Sequence, residues 1–130
     1  PLSKTSKVLL VANIHGINFS LATEPYQEQV SGLQKILEKH EGPLILAGDF
    51  NSWSRERMQI LDDMAAVLSL DWLTKTHPNR TTIFGKAVDH ILYRGLEPIF
   101  CEIRQVTSSD HNPMIARFRL VDMQDQERKE

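Results

Sequence analysis

The chain has 130 residues, 41% of them hydrophobic and 25% charged, with a formal net charge of −2. That is the make-up of one globular domain with a core, and the near balance of charge supplies no basic field to advertise a nucleic-acid partner. No apolar run approaches the ~20 residues of a membrane-spanning helix, so no membrane span is expected, and the single cysteine, Cys101, rules out an intrachain disulfide, which fits a reducing, cytoplasmic setting.

Residues 1–7 are polar and read as a flexible N-terminus. Val8 to Ala12 is a continuous apolar run, the pattern of a strand covered on both faces, and it ends at Asn13-Ile14-His15-Gly16. A helix is predicted from about Glu24 to His40. Thr23 stands at its N-cap, Pro25 lies in the first turn, and Tyr26, Val30, Leu33 and Leu37 share one face. Gly42-Pro43 closes it, and the strand Leu44 to Ala47 runs into Gly48-Asp49-Phe50-Asn51. Ser54 caps a second helix, about Arg55 to Leu68, with the stripe Met58, Leu61, Ala65 and Leu68. Residues 76–80 read as loop and Thr81 to Phe84 as a short strand. Ala87 to Tyr93, Ile99 to Val106 and Pro113 to Leu120 are three further strands, with a turn at Gly95. Residues 122–130 read as a disordered charged tail.

The order is β-α-β-α-β-β-β-β, with a parallel first half and an antiparallel second half. The expected fold is α/β (α+β mixed), with one mixed sheet of about six strands and two helices on one face, filling residues 8–121. The other face of such a sheet needs a cover that these elements do not supply.

Four polar clusters sit where apolar runs end: Asn13 to Gly16, Gly48 to Asn51, Val88-Asp89-His90, and Ser109-Asp110-His111-Asn112-Pro113. A carboxylate at a strand end, such as Asp49, can orient and deprotonate a water. The amide of Asn51 can hold that water or a phosphate oxygen, although Gly, Asp and Asn also make ordinary turns. Asp110 can ligate a hard cation, and His111 can contact a phosphate oxygen; a plain polar loop reads equally from the same residues. Asp89 has apolar neighbours and needs a partner. Paired with His111, it would fix the imidazole tautomer and favour the cation; backbone amides would satisfy it as well. His15 can bind phosphate or protonate a leaving oxygen. His90 points the other way, as a packing or surface residue. Trp53 reads as packing or as a flank to the substrate. Arg55, Arg57 and Arg80 read as solvated cations or as the lining of a polyanion path.

Together the four clusters resemble the endonuclease/exonuclease/phosphatase superfamily of metal-dependent phosphoesterases. The wider run, with Asn18-Phe19-Ser20, Ala47 to Asn51 and Tyr93-Arg94-Gly95-Leu96, looks like a bacterial branch of it. The resemblance covers roughly residues 7 to 120. It implies Mg²⁺- or Mn²⁺-assisted attack of water on a phosphate ester, whether nucleic acid, phospholipid headgroup or small ester. It assigns His15 to the phosphate or leaving group, Asp49 to the water, Asn51 to phosphate or water, Asp89 to orienting His111, and Asp110 with Asp49 to the metal.

The family fold is a four-layer sandwich of two packed sheets, and only its C-terminal half is matched. The family's metal-binding Glu and an N-terminal Asn belong to the other half. The resemblance therefore implies a phosphoesterase fragment, incomplete and weakly active or inactive alone, with a non-catalytic binding or interaction domain as the alternative. The uncovered sheet face suggests a homodimer.

Overall fold

The structure, a computed structural model, describes residues 7–17 and 22–121. Asn18-Phe19-Ser20, residues 1–6 and the charged tail at 122–130 lie outside the described residues.

The first strand, β1 (Leu10–His15), runs three residues beyond the apolar stretch, through Asn13 and His15. Its burial alternates: Leu10, Ala12 and Ile14 pack against the core, while Val11 is 55% exposed. The unbroken apolar run had suggested cover on both faces, but the described residues cover only one face of β1. Helix α1 (Glu24–Leu37) buries Tyr26, Val30 and Leu37, and the Thr23 hydroxyl makes no capping bond. Strand β2 (Leu44–Asp49) follows. Helix α2 (Arg55–Val67) is capped by Ser54, whose hydroxyl accepts from the Arg57 backbone N–H at 3.2 Å. Then come β3 (Asp71–Trp72), β4 (Thr82–Ile83), β5 (Lys86–Ala87), β6 (Asp89–Arg94), β7 (Leu96–Ile103) and β8 (Met114–Leu120).

The mixed α/β class is as expected. The main sheet has the order β1-β2-β6-β3, with β1 and β2 parallel and β6 antiparallel to β2 and β3. It holds four strands where about six were expected, because β7 and β8 form a ladder of their own and β4 and β5 form another. Gly95, with φ +70°, is the one residue between β6 and β7, and the chain turns there without the usual two-residue hairpin loop; β7 pairs with β8. A Tyr93–Phe118 ring contact, with centroids 5.2 Å apart, ties that ladder to the sheet.

The core lies between the helices and one sheet face: Tyr26, Val30 and Leu37 from α1, Leu61, Met64 and Ala65 from α2, and Leu44, Leu46 and Leu92 from the strands. Each of the Val, Leu and Met side chains contributes about 1.5–3 kcal/mol on burial. Because strand side chains alternate, the residues between these core positions point to the other face. Val11, Ile45 and Tyr93 make one cross-strand row there, and Asn13, Ala47 and Ile91 the next.

Candidate active site

The third row on that face is His15, Asp49 and Asp89. His15 pairs with Asp49 across β1 and β2, and Asp49 pairs with Asp89 across β2 and β6. Residues directly opposite in neighbouring strands share a face, so hydrogen-bonding register alone sets the three side chains abreast at one end of the sheet. The helix-side positions of the same strands anchor the row in the core.

Two glycines let the strand ends approach. Gly48 has φ +145°, and a Cβ there would lie 2.1 Å from the Ile14 carbonyl oxygen; at Gly16 a Cβ would lie 2.5 Å from the Phe50 carbonyl oxygen. The Gly16 N–H donates to the Asp49 carbonyl at 2.7 Å, and the Asn51 side-chain amide donates to the Gly16 carbonyl at 2.6 Å. Asn51 takes the left-handed conformation, φ +47°, and its backbone N–H donates to Asp49 Oδ1 at 2.9 Å. That bond leaves Asp49 Oδ2 facing two imidazoles: His111 Nε2 at 3.5 Å and His15 Nε2 at 3.8 Å.

His111 reaches the row from the segment between β7 and β8. Asn112 holds that segment in place, its N–H on the Thr81 hydroxyl at 2.8 Å and its side-chain amide on the Asn79 carbonyl at 2.9 Å. His111 Nδ1 then lies 2.7 Å from Asp89 Oδ2. The Asp89 hydrogen bond pushes the His111 imidazole up from 6.5, against the imidazole's own partial burial. Burial pushes the Asp89 carboxyl up from 3.8, opposed by its bond to His111. The bond to Asp89 thus favours the protonated form of the imidazole.

The structure thus brings His15, Asp49, Asp89 and His111 together. His15 is the most open of them, its side chain 81% exposed. Asn51 is at the site but buried, with its side-chain donor spent on Gly16 rather than directed outward. Asp110 is exposed and outside the group formed by Asp49, Asp89 and His111. His90 is a packing residue, fully buried between the rings of Phe50 and Trp72, with Nε2 2.8 Å from the Ser52 hydroxyl. Ser52 itself donates to the Ala87 carbonyl at 2.8 Å. Burial pushes the His90 imidazole down to about 4.

The reading of Arg57 as a solvated or polyanion-lining cation is corrected. Arg57 is only 2% exposed, its guanidinium stacked over the Tyr26 and Trp53 rings at 4.5 Å each. Sequence reasoning also missed Gln29 of α1, which accepts from the Ile17 N–H at 2.9 Å and donates to the His15 carbonyl at 3.1 Å. No spacing marks Arg57 in the sequence: Trp53 stands before the Ser54 cap, outside the helix, and Tyr26 comes from α1.

One ligand atom each from Asp49, Asp89 and His111 lies within 4.8 Å of the others. Two carboxylates suit a hard divalent cation, which takes one or two carboxylates and completes its shell with water and phosphate oxygens. The donor chemistry fits in that measure. Asp49 is the freer ligand, since Asp89 is committed to His111. Among the described residues no helix is long and apolar enough to cross a membrane.

The architecture is that of a mixed α/β domain with a phosphoesterase-like fold. The chain belongs to the endonuclease/exonuclease/phosphatase family, whose model matches residues 5–111. It is similar to a "UPF0294 protein" of Vibrio campbellii, 44% identical over 117 residues, covering 89% of this chain and 42% of the relative. A UPF0294 protein of Yersinia enterocolitica is 40% identical over 113 residues, covering 87% of this chain and 44% of the relative. Another, from Vibrio cholerae, is 44% identical over 114 residues, covering 87% and 41%. The chain thus spans about two fifths of the length of these relatives.

Proposed function

We propose that this chain carries the water-activating half of a phosphoesterase site, hydrolysing phosphodiester or phosphomonoester bonds, and that alone it is incomplete and weakly active or inactive. The single observation behind this is the shared row of His15, Asp49 and Asp89 with His111 closing over it. In this reading Asp49, oriented by the Asn51 N–H, holds the attacking water and accepts its proton. His111, kept cationic by Asp89, donates to a non-bridging phosphate oxygen as charge develops. His15, open to solvent, reaches the leaving oxygen. Mg²⁺ or Mn²⁺, held by Asp49 with the exposed Asp110 as a second, weaker carboxylate, would neutralise phosphate charge when bound. The substrate is a phosphate ester, and the setting is cytoplasmic, in keeping with one unpaired cysteine.

The test is metal-dependent hydrolysis of bis(p-nitrophenyl) phosphate and p-nitrophenyl phosphate by a protein spanning the full length of the relatives. Turnover that disappears in Asp49→Ala and His111→Ala supports the reading. No turnover of either ester with Mg²⁺ or Mn²⁺ refutes it.

A second reading rests on the sheet face opposite the helices. Val11 lies open there, with Ile45 and Tyr93 half-buried beside it. As an interaction domain the chain would cover that face by pairing with a second copy, sheet to sheet. Sedimentation showing a dimer that Val11→Lys dissociates supports this; a folded monomer at high concentration overturns it.

A further inference from the structure

We infer that Arg57 is a positioning residue, holding the loops after β1 and β2 in the mutual register that aims Asp49 at the two histidines. The inference rests on reading the His15–Asp49–Asp89 row as a working site.

One nitrogen of Arg57, Nη1, donates to the carbonyls of both Asn51, at 3.0 Å, and Ile17. Each carbonyl belongs to the residue two positions after a member of the row: Ile17 follows His15, and Asn51 follows Asp49. The guanidinium is therefore a common anchor for two loops that approach from different strands. It is fixed in turn by the rings of Tyr26 and Trp53, while the Tyr26 hydroxyl donates to the Phe50 carbonyl at 2.7 Å.

Asn51 is the link to the chemistry. Its left-handed backbone is uncommon for a non-glycine residue, though asparagine takes it more readily than most. Arg57 holds the carbonyl of Asn51 while the N–H of Asn51 holds Asp49 Oδ1. If that residue turned, Asp49 would lose the donor that directs Oδ2 toward His15 and His111. On the other loop Gln29 brackets His15 to Ile17, so the Arg57 bond to Ile17 finishes a segment already gripped from α1. Burying a guanidinium carries a desolvation penalty that an apolar side chain of the same volume would avoid. Core packing alone is therefore a poor account of an arginine here.

The test uses the whole chain and NMR at one fixed pH. Arg57→Met keeps the apolar bulk and removes the donors; Arg57→Lys keeps donors and loses the plane. Two signals are read. One is hydrogen exchange at the Asn51 and Gly16 amides relative to those of Leu46 and Leu92 in the sheet. The other is the Asp49 side-chain carboxyl ¹³C resonance. We expect Arg57→Met to speed Asn51 and Gly16 exchange by about tenfold or more relative to the sheet and to shift the Asp49 carboxyl signal. We expect Arg57→Lys to restore most of both. Parallel loss of protection everywhere, or an unmoved Asp49 signal, would reduce Arg57 to a core residue and overturn the proposal. Should Arg57→Met fail to fold, Arg57→Gln is read by the same criteria. None of these readings requires turnover, so loss of the phosphoesterase reading shows separately, in the hydrolysis assay.

Discussion

Asp89 and His111 are 22 residues apart in sequence, and their side chains meet at 2.7 Å. One comes from the first position of β6, the other from the segment before β8, and the contact favours the charged imidazole. The Asp89 bond is the largest influence raising the His111 imidazole above its ordinary 6.5. Asp89→Asn keeps the shape and removes the charge. NMR titration of the His111 ring should show its midpoint falling in Asp89→Asn. The sign for folding follows: with its folded value raised, His111 stabilises the protein below pH 6.5, and that contribution disappears as pH rises through the folded value. Asp89→Asn should therefore flatten stability on the neutral-to-alkaline side. An unchanged His111 midpoint would show that the pair does not set its charge.

His90 works in the opposite direction. It is fully buried, its Nδ1 has no hydrogen-bond partner among the described residues, and its folded value is about 4 against 6.5 for a free imidazole. The unfolded chain takes up the proton below 6.5 while the folded one does not, so stability falls as pH drops from 6.5 toward 4 and levels off below. The full loss is roughly 3 kcal/mol. His90→Leu should remove most of that slope, since Ser52 retains its bond to the Ala87 carbonyl. Urea unfolding at pH 7, 5.5 and 4.5 measures it. Parallel curves for the two proteins would contradict the assignment.

The contrast between these neighbours shows what the sequence made legible. Adjacent residues in a strand face opposite ways, so Asp89 and His90 had to be divided between site and core, and the apolar neighbours of Asp89 pointed to a buried carboxylate needing a partner. Helix positions were readable from the spacing of Tyr26, Val30 and Leu37. The common row of His15, Asp49 and Asp89 was not, because cross-strand register is a tertiary quantity set by Gly48 packing on Ile14. Strand β3 escaped because two residues carry no period. Arg57 escaped because a solvated and a buried arginine look alike until the rings on either side are in place.

The glycines give a prediction in both directions. Gly48→Ala would drive a methyl to 2.1 Å from the Ile14 carbonyl oxygen at φ +145°. Neither the strand pairing nor the backbone can yield cheaply, so the variant should lose about 3 kcal/mol or more and fail to accumulate as folded protein. Gly32 lies inside α1 with nothing within 4 Å of its missing Cβ. Gly32→Ala should therefore stabilise by roughly 0.5–1 kcal/mol. Thermal melts of the two decide it, and a Gly48→Ala protein as stable as wild type would mean that β1 and β2 do not approach as described.

Metal affinity separates the two carboxylates given a metal role. Asp49 Oδ2 lies within reach of His111 and His15, with Asp89 beside it, whereas Asp110 is exposed and apart from that group. If the row places the cation, Mn²⁺ should bind at least ten times more weakly in Asp49→Ala, while Asp110→Ala, losing a charge at the solvent edge beside His111, should change affinity less than about threefold. Calorimetric titration with Mn²⁺ at pH 7 reads both. Equal losses in the two variants would place the cation out at the loop before β8 and shift the water-binding role away from the end of the sheet. Full retention in Asp49→Ala would remove the row from metal binding altogether.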